Sequence, residues 1–149
     1  MQCFKNGIKP FFEYHNKIIK FDTLVTKRMG HAFEFGQKLS SDSKYDSIVC
    51  VGGDGTLSEF LNGLYQNKNI TNAMDIGITQ IPCGSGNCIV REIKSKKMLD
   101  ACTKFIDGKY TAIDAYIASQ KNESKMLGFV STQWGIIYYF DIFLYFIYI

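Results

Sequence analysis

The amino-acid sequence predicts an α/β fold, a parallel sheet with helices on its faces. Three observations carry that expectation. Up to Asp107 the apolar pattern alternates between strand-like and helix-like segments, the order that puts crossover helices between parallel strands. Ile48-Val49-Cys50-Val51 is a short uninterrupted apolar run, which suits a strand covered on both faces. Two glycine-rich turns, Gly52-Gly53-Asp54-Gly55 and Gly84-Ser85-Gly86-Asn87, directly follow predicted strands, and parallel sheets bind their ligands at the carboxyl ends of strands.

The elements follow in order. Ile8, Phe11, Phe12 and His15 share one face of a short helix, with Pro10 tolerable in its first turn. Phe21–Thr26 reads as a strand ending in polar residues. Ala32, Phe33, Phe35 and Leu39 fit a helix over Gly30–Leu39, in which Gly36 is a local weakness. Ser40–Asp46 is a polar connection before the apolar run at Ile48. After the first glycine-rich turn, Leu57, Phe60, Leu61, Leu64 and Tyr65 recur at helical spacing from a start near Thr56. Asp75–Ile81 is the next strand, closed by Pro82, and a helical stretch covers Cys88–Ile93. Met98, Leu99, Cys102, Phe105 and Ile106 make a further helix, with Ser95 as its N-cap and Gly108 as its stop. Tyr110–Ala118 and Met126–Ile137 read as two strands around a polar turn at Gln120–Ser124.

The 149 residues match one ordinary domain, since domains commonly run about 100–200 residues. A hydrophobic fraction of 46% with 21% charged residues excludes a disordered chain. The formal net charge of +3 excludes neither nucleic acid nor anionic phosphate but argues against a general polyanion-binding surface, and no nucleic-acid partner is expected. Five cysteines (Cys3, Cys50, Cys83, Cys88 and Cys102) form no CxxC pair, and His15 and His31 supply no partner set for zinc. They read as buried or incidental thiols of a reduced, cytoplasmic protein. The first residues lack a basic segment followed by an apolar one, so no secretory signal is expected. Ile136–Ile149 is apolar but interrupted by Asp141, and it is shorter than the roughly 20 residues of a membrane span.

The two turns suggest anion chemistry. Gly52, Gly53 and Gly55 permit positive φ and let a ligand approach the backbone. Successive N–H groups, backed by the N-terminus of the helix near Thr56, suit a phosphate. Asp54 adds negative charge beside negative oxygens. It therefore points to an intervening Mg2+ or to a base acting on a hydroxyl near the phosphate. The plain structural alternative is a tight turn in which Asp54 caps the helix. Gly84, Ser85, Gly86 and Asn87 offer further N–H groups, a hydroxyl and an amide. The first turn is neither a Walker A loop nor a dinucleotide fingerprint.

Val51-Gly-Gly-Asp-Gly-Thr-Leu-Ser-Glu59-Phe-Leu-Asn62-Gly63-Leu64 resembles the nucleotide motif of the diacylglycerol kinase catalytic domain family. Ile81-Pro82-Cys83-Gly84-Ser85-Gly86-Asn87 is similar to its second motif, in the form typical of sphingosine kinases. Thr26-Lys-Arg-Met-Gly-His31-Ala32 and Ser131-Thr-Gln-Trp134-Gly135-Ile136-Ile137 resemble further segments in family order, from about Ile8 to Ile137. NAD kinases share the first turn, but the Gly-Ser-Gly-Asn spacing and the Trp-Gly segment favour a lipid kinase. The resemblance implies a three-layer parallel-sheet nucleotide-binding lobe of the NAD kinase/diacylglycerol kinase type, with only the start of a β-rich second lobe. It implies ATP-dependent, Mg2+-assisted phosphorylation of a sphingoid base, and a diacylglycerol or ceramide kinase or a non-catalytic nucleotide-binding module are the alternatives. Asp54 would be the catalytic base, with Gly52, Gly53, Gly55, Thr56, Gly84, Ser85, Gly86, Asn87 and Thr26 around the nucleotide. Glu59 and Asn62, at i and i+3, would face the same cleft or simply solvent. The full enzyme would be cytoplasmic and touch membranes peripherally to reach its lipid.

The match also has edges. Residues 1–108 correspond to a partial nucleotide-binding lobe, 109–137 to the start of the lipid-binding lobe, and 138–149 fall outside the family pattern. The family's opening strand and its Asn-Pro-x-x-Gly-x-Gly loop have no counterpart, so the chain is expected to be a fragment, inactive or weakly nucleotide-binding by itself. Asp141 aligns with a lipid-contacting aspartate of sphingosine kinases, but its neighbours do not fit. Seven of the 12 Phe and 9 Tyr residues lie in Tyr138–Ile149. That bias is what translated AT-rich non-coding sequence would give. A docking tail ranks lower, since it lacks the basic face of an interfacial helix.

Overall fold

The computed structural model describes residues 2–39, 45–68, 76–84, 87–92, 97–108 and 110–129. They fall into two compact units divided between Ile113 and Asp114. In the first unit a π-helical segment, Phe4–Ile8, runs into α1, Lys9–Tyr14, with Pro10 in the first turn. There follow α2 (His31–Lys38), β1 (Ser47–Gly52), α3 (Asp54–Tyr65), β2 (Gly77–Pro82), α4 (Cys88–Glu92) and α5 (Met98–Ile106). The second unit holds β3 (Tyr116–Ala118) and β4 (Met126–Gly128), paired antiparallel around a turn in which Asn122 takes φ 67°.

β1 and β2 pair in parallel, Ser47 with Gly77 through Gly52 with Pro82. Alternation along the strands sends successive side chains to opposite faces, and both faces are covered. Val49, Val51 and Ile81 pack with Ile8, Phe12, Ala101 and Cys102. Ile48 and Ile78 pack with Ala32, Leu39, Phe60 and Leu64. The uninterrupted apolar run is therefore explained by burial on two sides. No helix among the described residues is long and apolar enough to cross a membrane.

Several expectations are corrected. Phe21–Thr26 forms no strand: residues 19–27 have no regular structure, and Leu24 and Val25 are 51% and 42% exposed. A β-prone run becomes a strand only with a ladder partner beside it. Here Phe21 instead stacks obliquely on Phe12 and Asp22 accepts from the Tyr45 hydroxyl at 2.9 Å. α3 starts at Asp54 rather than near Thr56, with Gly53 as its N-cap. The N-cap of α5 is Lys97, which makes no side-chain cap bond, and Ser95 lies outside the described residues. β3 is confined to three residues, because 110–115 are exposed and unpaired, and the predicted second strand beyond residue 129 lies outside the described residues. Gly36 is not a weakness but a contact. A Cβ there would collide with the Phe60 carbonyl oxygen and lie 2.8 Å from the Leu64 nitrogen. Gly63 meets the Phe33 carbonyl in the same way, so α2 and α3 cross with their backbones touching.

Candidate functional site

The parallel register brings the carboxyl ends of β1 and β2 together, so both glycine-rich turns leave from one edge of the sheet. The Cys83 N–H donates to the Gly52 carbonyl at 3.4 Å just beyond the last paired residues. Gly53 is extended (φ −89°, ψ −179°), and among the described residues only Gly30 and Gly108 of the glycines have positive φ. The expectation that the glycines at 52, 53 and 55 serve unusual φ values is thus corrected. What they provide is room: a Cβ at Gly52 would press on the Thr56 side chain at 3.2–3.3 Å, and one at Gly55 would meet nothing within 4 Å.

Asp54 occupies the first helical position of α3 and is half-buried. Its carboxylate does not cap its own helix. Both oxygens accept from the Cys88 backbone N–H, at 3.1 and 2.9 Å, where α4 begins. The Gln80 amide nitrogen approaches Oδ1 at 3.3 Å and the Gly52 carbonyl at 3.3 Å. One side chain thereby ties the first turn to the second. The carboxylate also pushes the Cys88 thiol up from its ordinary value, first by hydrogen bonding and then by charge. Asn87 closes the second turn on itself, donating to the Gly84 carbonyl at 2.7 Å and accepting from the Gly84 N–H at 3.4 Å. Cys83 touches Cys3 of the N-terminal helix, Sγ to Sγ 2.9 Å, and its thiol is pushed up to about 12 by burial and then by Cys3.

The predicted residues separate into groups. Gly52, Gly53, Asp54, Gly55, Thr56, Gly84 and Asn87 share this edge. Ser85, Gly86 and Asp141 lie outside the described residues. Thr26 is exposed and, among the described residues, hydrogen-bonds to neither turn. Glu59 Oε2 accepts from the Gly30 N–H at 3.0 Å, anchoring the left-handed turn that starts α2 (φ 78°). Asn62 is only 5% exposed and donates to the Ser58 carbonyl at 3.0 Å. Sequence reasoning missed Gln80, whose signal was a lone amide in an otherwise apolar strand end.

The first-turn N–H groups of a helix have no intrahelical acceptor, and α3 makes its first such bond from Leu57 to the Gly53 carbonyl. With no side-chain cap at Gly53, those donors and the positive helix end suit an anion. Mg2+ is commonly held by one or two carboxylates plus phosphate oxygens. Asp54 fits that pattern for a cation arriving with a nucleotide, and among the described residues no group of three or more His, Cys, Asp or Glu could hold a metal alone.

The model of the diacylglycerol kinase catalytic domain matches residues 4–117, and the chain belongs to that family. Among individual relatives, it is 32% identical over 146 residues to sphingosine kinase 2 of Arabidopsis thaliana, covering 95% of this chain and 30% of that protein. Sphingosine kinase 1 of the same plant is 33% identical over 146 residues, covering 95% and 29%. Human sphingosine kinase 2 is 29% identical over 151 residues, covering 95% and 23%. The chain thus spans less than a third of the length of these relatives.

Proposed function

We propose that this chain supplies the nucleotide-binding part of an ATP-dependent lipid kinase that phosphorylates the primary hydroxyl of a sphingoid base. The observation that carries the reading is the joining of two carboxyl-end turns by Asp54 beside the uncapped start of α3. Family membership and the names of the three relatives given above, each a sphingosine kinase, support the lipid acceptor. The covered sheet is read as the middle of a three-layer lobe of the NAD kinase/diacylglycerol kinase type. Residues 1–108 contribute to that lobe and 109–137 open a β-rich, lipid-facing one. The enzyme works in the cytoplasm, peripherally attached to the membrane that holds its lipid.

In this reading the N–H groups around Gly53 and Gly55 hold nucleotide phosphates, and Thr56, Gly84, Ser85, Gly86 and Asn87 border the nucleotide. Asp54, together with the phosphates, would hold Mg2+, which would supply charge neutralisation on the transferring group. Asp54 accepts the proton of the lipid hydroxyl as its oxygen bonds to the γ-phosphorus and ADP departs with the cleaved bond's electrons.

The test is transfer of labelled γ-phosphate from ATP to a panel of sphingosine, diacylglycerol and ceramide in mixed micelles, with ATP binding measured by calorimetry. Sphingosine is expected to take the label in preference to the other two. Asp54→Asn should lower transfer by at least about a hundredfold, the scale of losing a general base, while its melting temperature stays within a few degrees. Preferential labelling of diacylglycerol or ceramide overturns the acceptor, and undiminished transfer by Asp54→Asn removes Asp54 from the chemistry. ATP binding without transfer to any lipid, both by this chain and by a version extended at both ends, would favour a non-catalytic nucleotide module.

A further inference from the structure

Three polar side chains among the described residues are almost fully buried: Asn62, Asn67 and Gln80. Asn67 donates to the Gly36 and Leu39 carbonyls at 2.9 and 2.7 Å, closing the end of α2. Asn62 bonds back to its own helix. Gln80 differs from both. It is 3% exposed, on the strand face it shares with Ile78 and opposite Cys50, and its Oε1 is buried without a hydrogen-bond partner among the described residues. An unmet buried acceptor is a net cost to folding that an unbranched apolar side chain of similar size would avoid.

That cost needs a counterpart. The Gln80 amide nitrogen reaches two acceptors, the last carbonyl of β1 at Gly52 and Oδ1 of Asp54, each at 3.3 Å. With acceptors on that side, only the NH2 end can face them, so the orientation that leaves Oε1 unmet is forced. β2 ends two residues later, at the second turn. Gln80 is thus a donor placed behind the Asp54 carboxylate, while Cys88 N–H meets the same carboxylate from the second turn.

We infer that Gln80 is a positioning residue: from inside the sheet it holds the Asp54 carboxylate in the orientation that joins the two turns. The consequence for phosphate transfer rests on the kinase reading above, whereas the structural part does not. The full 149-residue chain is compared with Gln80→Met, which keeps length and loses the donor, and with Gln80→Glu, which sets a second carboxylate against the first. Hydrogen exchange at the Cys88 amide is followed by NMR, with Asp54→Ala defining complete loss of the carboxylate contact.

Gln80→Met should speed Cys88 exchange by about tenfold, the scale of loosening one hydrogen bond to a charged group, and leave the Cys50 and Ile81 amides unchanged. Its melting temperature should hold or rise, because the unmet acceptor is gone. Where wild type transfers phosphate, Gln80→Met should lower kcat by about tenfold with little change in KM for ATP, and Gln80→Glu should lower it further. Cys88 exchange unchanged in Gln80→Met overturns the inference, and a fall in melting temperature with that exchange unchanged assigns Gln80 to the core alone. If the wild-type chain binds no ATP, the kinase reading fails, and the exchange measurement still decides the role of Gln80.

Discussion

The Glu59 carboxylate sits one and a half turns along α3 from Asp54, yet its partner is the backbone of another element. Its Oε2 accepts the N–H of Gly30, the residue whose φ of 78° lets the chain turn into α2. The contact sets the Glu59 side chain at the positive end of α2, an arrangement that stabilises the start of that helix. Glu59→Ala should destabilise the protein by about 1 kcal/mol, and Glu59→Gln by less than half of that. Urea denaturation of both variants measures this, and equal midpoints for Ala and wild type would remove the contact from the stability account. Residues of this kind explain what could be read before folding. Asp54 and the glycines marked the two turns at the strand ends through local spacing alone. The work of Glu59 and Gln80 depends on partners 29 and 26 positions away, on other elements, which no local pattern encodes.

At the scale of elements, α2 and α3 pack through glycine. A Cβ on Gly63 would overlap the Phe33 carbonyl oxygen and lie 2.8 Å from the carbonyl carbon, both backbone atoms that cannot rotate away. Gly63→Ala must push the helices apart, opening the cluster of Ala32, Leu39, Phe60 and Leu64. The expected loss is about 1–3 kcal/mol, read from the denaturation midpoint, and an unchanged midpoint would show that the crossing can slide. Helices α1, α2, α3 and α5 and strands β1 and β2 were legible because their apolar residues recur at the period of the element. The false strand at Phe21–Thr26 had the right residue types as well. What it lacked was a neighbour, and pairing is a tertiary fact.

For the molecule as a whole, the buried thiols set an alkaline limit. Burial pushes Cys50 and Cys102 from 9.0 up to about 11. Below pH 9 both are neutral whether the chain is folded or not, so their contribution is fully present. As the pH climbs from 9 towards 11 the unfolded chain ionises them first, and stability is lost at about 1.4 kcal/mol for each tenfold difference in proton affinity. The melting temperature should therefore fall more steeply across that window in wild type than in a Cys50→Ala, Cys102→Ala double variant, and parallel curves would refute the thiol origin. The register of β1 on β2 carries a last consequence, for the order of assembly. Ser47 finds Gly77 across a gap of about 30 residues, and a parallel pair must pay the entropy of closing that gap before any ladder bond rewards it. α3, lying between the strands, can gather early from local contacts, but Asp54 and Cys88 have no reason to meet until the strands have docked. The edge that carries both turns is among the last features the folding chain acquires, and it belongs to the completed sheet rather than to either glycine-rich turn.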